Sequence, residues 1–92
     1  MILHVTQADM DEGQPGDCYG CAIAVAAKRQ IPGTAWAGVT KGNLTVYGRD
    51  GLALWGMPPK GRKFIVAYDA DGSAKPCSID FGEPVYQSSP SS

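Results

Sequence analysis

The chain has 92 residues, 43% of them hydrophobic and 18% charged, the composition of one small globular domain with no room for a separate regulatory module. Eight basic against nine acidic residues give a net charge of −1. That excludes a sequence-independent nucleic-acid binder, which needs a basic excess to release counterions, and equally excludes an acidic DNA mimic. No apolar run approaches the roughly 18 residues of a membrane span, and no signal peptide opens the chain, so a cytoplasmic protein with no membrane partner and reduced thiols is expected.

Ile2–Val5 reads as a short opening strand. Thr6 is placed to cap a brief helix over Gln7–Glu12, with Asp9 as its capping-box partner. Gly13 ends that helix, and Asp17 is a plausible N-cap for the next one, expected over Cys18 to Gln30. Alanines give this second helix high intrinsic helicity, Lys28 and Arg29 oppose the negative end of its dipole, and Pro32-Gly33 stops it. Ala22–Ala27 is apolar all round, which predicts burial on more than one side.

An antiparallel meander follows. Thr34–Val39 is one strand and Leu44–Arg49 a second, with Leu44 and Val46 on one face and Thr45, Tyr47 and Arg49 on the other. Asp50-Gly51 is a hairpin signal, and Leu52–Trp55 is the third strand. In Pro59–Asp71, the two prolines suit a helix start and Phe64, Ile65 and Tyr68 share one helical face, although Lys63–Tyr68 also has a strand-like composition. Asp71-Gly72 reads as a turn and Cys77–Phe81 as a last strand. The expectation is α+β: a small, mainly antiparallel sheet in the order β-α-α-β-β-β-α-β, with the Ala-rich helix packed on one face. Residues 1–81 form the domain and the Ser/Pro-rich stretch 82–92 a flexible tail.

Chemistry-bearing motifs are few. Cys18 and Cys21 form a Cys-x-x-Cys at a helix start, where dipole and amides favour thiolate, but the neighbouring Asp17 opposes it. Redox chemistry, metal binding and simple packing all stay open for this pair. A zinc site would need Cys18, Cys21, Cys77 and His4 to converge, and the second pair lacks the spacing of a zinc ribbon. Gly13–Gly20 is Gly-rich but matches neither a Walker nor a dinucleotide fingerprint. With one histidine and no Gly-x-Ser-x-Gly, a hydrolase triad has no support, and no catalytic residue, metal or cofactor is assigned. Lys60-Gly-Arg-Lys63 is the one dense basic run. Trp36, Trp55, Tyr47 and Tyr19 are aromatics suited to a stacking surface or to the core. Arg62, Lys63, Arg49 and Trp55 are the candidate ligand-binding residues.

Pro15-Gly-Asp-Cys-Tyr-Gly-Cys-Ala-Ile-Ala-Val-Ala resembles a Cys-x-x-Cys-Pro-(Ile/Val)-Ala-Leu-Ala segment of small uncharacterised phage and prophage proteins. Met57-Pro, Phe64-Ile-x-x-Tyr68-Asp69 and Pro76-Cys77-x-x-x-Phe81 are similar to their C-terminal pattern, so the likeness spans residues 2–81. This chain has Ala22 where those proteins have proline and Cys77 where they have phenylalanine, which makes Cys77 a core position. The resemblance implies a helix over 59–70 and a viral accessory setting. The functional expectation is a non-enzymatic protein that engages a host protein, such as a defence factor, or sequesters a nucleotide-like small ligand. A pocket for such a ligand would be shared between subunits of a homo-oligomer, since so short a chain hardly encloses one. The alternative is a thiol-redox or metal-binding protein using Cys18 and Cys21.

Overall fold

Thr6 opens the first helix as its chemistry dictates. Its hydroxyl accepts a hydrogen bond from the Asp9 amide at 3.2 Å, and the Asp9 carboxylate accepts one from the Thr6 amide at 2.9 Å. This capping box turns β1 (Ile2–Val5) directly into α1 (Gln7–Glu12). The same carboxylate is only 2% exposed, and Arg29 donates to both of its oxygens, from Nε at 3.0 Å and from Nη2 at 2.8 Å. Arg29 lies in the last turn of α2 (Ala22–Gln30), so the pair ties the two helices together. Gln30 completes the tie. Its side-chain amide accepts from the His4 N–H and donates to the His4 carbonyl, satisfying the edge of β1 that has no strand beside it among the described residues.

The computed structural model describes residues 1–49, 51–71 and 74–88. It is α+β, as the sequence indicates. After α2 come β2 (Thr34–Val39), β3 (Asn43–Gly48), β4 (Gly51–Gly56), α3 (Pro59–Asp71), β5 (Cys77–Asp80) and β6 (Tyr86–Ser88). The strands make two antiparallel sheets: a two-stranded pair β1-β5 and a larger sheet in the order β2-β3-β4-β6. Gly48 pairs with Gly51 across the expected β3–β4 hairpin. Asp50 of that hairpin, Gly72 of the expected Asp71-Gly72 turn and residues 89–92 lie outside the described residues.

Two expectations are corrected. The second helix begins at Ala22, not Cys18, and its N-cap is Cys21, not Asp17. Asp17 instead accepts a hydrogen bond from the Tyr19 amide at 3.0 Å, a local turn that competes with helix formation. The stretch expected as a tail from residue 82 onward also contains a strand. Leu54 pairs with Tyr86, Ala53 with Gln87 and Leu52 with Ser88. The pairing energy of a three-residue edge strand is invisible in Ser/Pro composition. The ambiguous stretch at 59–71 is a helix, with Phe64, Ile65 and Tyr68 buried.

The core is built around α2. Ala22, Ala24, Ala26 and Ala27 are fully buried with Ile23, and the helix lies against α1, β1 and β2. Methyl side chains let backbones on several sides approach it closely. A second close approach joins β2 to β3. A Cβ on Gly48 would strike the Gly33 carbonyl oxygen and sit 2.8 Å from the Thr34 Cα. Gly48→Ala is therefore expected to destabilise the fold by about 1–3 kcal/mol in urea unfolding.

Burial alone would raise the Asp9 pKa. The Arg29 hydrogen bond, the Thr6 amide and hydroxyl, and the Arg29 charge outweigh it, and the net shift is downward. Because the folded value lies below the unfolded one, the stabilisation is complete above the ordinary aspartate value of about 4 and is lost as pH falls through the folded value. Arg29→Met keeps the apolar stem but strands the carboxylate, so the urea midpoint at neutral pH should fall. In urea titrations run at stepped pH, that difference from wild type should shrink below about pH 4.

Candidate functional site

Register divides the larger sheet into two unlike faces. The rows Ala37–Val46–Ala53–Gln87 and Val39–Leu44–Trp55 form the inner face, on the side of α2. The rows Trp36–Tyr47–Leu52–Ser88 and Gly38–Thr45–Leu54–Tyr86 form the outer face. Every side chain in these outer rows is exposed or half-buried, and none is charged.

Three aromatics gather on the outer face. Trp36 and Tyr47 stack at 5.8 Å with 21° between their planes, and Tyr19 meets Trp36 edge-on at 5.9 Å. They remain 38%, 46% and 62% exposed for Trp36, Tyr47 and Tyr19. The Cys18 carbonyl, accepting from the Val39 amide at 2.7 Å, fastens the preceding loop to the edge of β2. Tyr19 then reaches across the sheet onto the bare backbone of Gly38, where a Cβ would lie 3.3 Å from its ring. A cavity of about 150 Å³ opens beside this contact, lined by Tyr19, Trp36, Asn43 and Thr45 among others. Sequence reasoning grouped Trp55 with these aromatics, but the structure puts it on the opposite face. It passed over Tyr86, Leu52 and Leu54, which continue the apolar surface.

The four expected ligand residues separate into two pairs. Arg49 and Trp55 line one cavity of about 260 Å³, together with Met1, Ile31, Val46 and Ala53. This cavity lies within a single chain, where the chain length had suggested a pocket shared between subunits. Trp55 is 7% exposed, and its indole N–H is buried without a hydrogen-bond partner, a loss of roughly 1–3 kcal/mol for a donor. Arg62 and Lys63 lie in the first turns of α3 and line none of the described cavities. Arg62 donates from Nη1 to the Met57 carbonyl at 3.1 Å, closing the turn before the helix.

Cys18 and Cys21 line a third, smaller cavity of about 110 Å³, beside Asp17, Lys41, Tyr68 and Asp69. Cys18 is exposed and Cys21 buried. Burial pushes the Cys21 thiol pKa up. The amides of Ala24 and Ile23 pull it down by less, so this helix start does not hold a thiolate. Burial likewise raises the Tyr68 hydroxyl, which donates to the Met10 carbonyl at 3.0 Å. Cys77 sits in the small sheet opposite Val5, and the His4 ring bonds Ser78. Among the described residues no three His, Cys, Asp or Glu side chains come together to hold a metal ion. No helix among them is long and apolar enough to cross a membrane.

No protein-family model matches the chain, and no curated protein or solved structure matches it either.

Titration with a disulfide reagent separates the two thiols. Cys18 should react rapidly in the native protein and Cys21 only on unfolding, so Cys18→Ser should remove the fast phase and Cys21→Ser should not.

Proposed function

We propose that the protein is a non-enzymatic accessory protein that engages a partner protein through the outer face of its larger sheet. The observation that carries this reading is the exposed Tyr19–Trp36–Tyr47 cluster on a face whose cross-strand rows hold no charge. Tryptophan and tyrosine offer large contact area at low entropic cost, and they concentrate at interface centres. An uncharged face gives nothing to a phosphate backbone, so a protein segment suits it better than a nucleic acid. The edge of β6 beyond the β4 pairing adds a second feature, because an extended segment can join such an edge beside Tyr86 and Ser88 of the outer face. The sequence resemblance to phage and prophage proteins supports a host protein as the partner and the host cytoplasm as the setting.

The test uses tagged wild type and a Trp36→Ala/Tyr47→Ala variant in a bacterial lysate. A protein recovered by wild type alone is purified, and its binding to wild type and to each variant is measured by isothermal titration calorimetry. Trp36→Ala should weaken binding by at least about 30-fold, the scale of an interface hot spot. Arg62→Glu/Lys63→Glu should leave it unchanged. Equal recovery by wild type and the aromatic variant, or dependence on Arg62 and Lys63 instead, contradicts the proposal. Self-association abolished by the same aromatic substitutions would assign the face to a second copy of the chain, which also contradicts it.

A further inference from the structure

Hydrogen bonds between strands lie in the plane of a sheet, so an added segment can pair at an edge but never across a face. Neither edge of the larger sheet brings a paired segment onto Trp36 and Tyr47. At the β2 edge, the Val39 amide is already taken by the Cys18 carbonyl at 2.7 Å, and the strand's pairing is irregular between Thr34 and Trp36. At the β6 edge, β4 and β6 stand between a paired segment and Tyr47, a separation of roughly 14 Å at about 4.8 Å per strand. A segment that reaches the aromatic cluster therefore crosses the face, where its backbone meets no strand.

The surface it crosses is uncharged and offers donors. The cavity of about 150 Å³ beside Tyr19 and Trp36 has no charged residue in its lining. Asn43 and Thr45 of β3 line the same cavity. The Thr40 hydroxyl donates to Asn43 Oδ1 at 3.4 Å, which leaves the Asn43 NH2 group as a donor. Trp36 is 38% exposed, and its indole nitrogen can only donate. No acceptor among the described residues takes either group.

These features select among backbones that need no strand. A helix lying on the face would cover the donors with carbonyls already spent in its own ladder. A polyproline II segment has no internal hydrogen bonds, so its carbonyls are free to accept. Proline also removes the N–H groups that would go unpaired there, and its ring packs against aromatic rings. Two of every three side chains of such a helix can face one surface, and positions two apart are spaced by about 6 Å. That spacing matches the 5.9 Å from Tyr19 to Trp36 and the 5.8 Å from Trp36 to Tyr47.

We propose, building on the reading of the outer face as a partner-protein surface, that the segment it recognises is an uncharged, proline-rich stretch in the polyproline II conformation. Its rings pack on Tyr19, Trp36 and Tyr47, and its carbonyls accept from the Trp36 indole and the Asn43 amide. The conformation is largely set before binding, so little ordering cost opposes the contact.

The test uses the full chain with two blocked ten-residue peptides as probes, decaproline and an alternating proline–alanine peptide. A glycine–serine peptide of the same length and an amphipathic helical peptide are the controls. Binding is followed by the Trp36 and Trp55 indole resonances in nitrogen-15 spectra up to millimolar peptide. At least one proline peptide should shift the Trp36 resonance saturably and leave that of Trp55 in place. Its affinity should fall at least about ten-fold in Tyr19→Ala or Tyr47→Ala and about three-fold in Asn43→Ala. No saturable shift of Trp36 by either proline peptide, equal binding of the glycine–serine peptide, tighter binding of the helical peptide, or affinity unchanged in both tyrosine variants would each overturn the proposal. The lysate experiment reads the outer face by itself. A partner that needs Trp36 while neither proline peptide binds leaves the partner-protein reading in place and overturns only the proline-rich segment.

Discussion

A thin helix, buried from Ala22 to Ala27 on all sides but that of Val25, holds this molecule together. The alanines of α2 are sealed at the meeting point of α1, β1 and β2, so the spacing of both sheets is set by methyl groups. Leucines at these positions would force the layers apart, because a native core has no spare volume. The ends of the helix are fastened by different means. At its C-terminal end, Arg29 and Gln30 reach back to Asp9 and His4. At its N-terminal end, the loop before Cys21 is bonded to the edge of β2.

The asymmetry of the larger sheet follows from that arrangement. The chain places α2 on one face and no described helix on the other. The inner face buries Ala37, Val39, Leu44 and Val46, while the outer face keeps its aromatics in solvent. The helix spans only nine residues, so the far part of the inner face meets the Ile31–Gly33 turn instead, and there the Arg49–Trp55 cavity remains. The open aromatic face and this cavity are therefore both consequences of one short helix covering one side of one sheet.

Local chemistry was legible in the sequence. Thr6 and Asp9 specify a capping box by themselves, the alternation of Leu44 and Val46 against Tyr47 fixes the faces of β3, and the double proline places the start of α3. Long-range geometry was not. The beginning of α2 is decided by Asp17 turning back on Tyr19 and by Tyr19 docking on Gly38, two residues that sit in different elements. The one clue was a glycine inside a strand, which marks close approach by something else. Trp36 and Trp55 look alike in sequence. Their opposite fates depend on cross-strand register, which shifts at an irregularity between Thr34 and Trp36. Arg62 and Lys63 are neighbours of each other but not of Arg49, since α3 carries them away from the hairpin. The pairing of β6 depends on a partner strand more than thirty residues earlier, and nothing in Val85–Ser88 announces it.

Hydroxyl-radical footprinting read by mass spectrometry tests the two-faced sheet most directly. Trp36, Tyr47 and Tyr19 should be oxidised readily in the native protein, with Trp55 and Tyr68 protected until the chain unfolds. Equal oxidation of Trp36 and Trp55 in the native state, or protection of Trp36 in the free monomer, would contradict an open aromatic face opposite a helix-covered one.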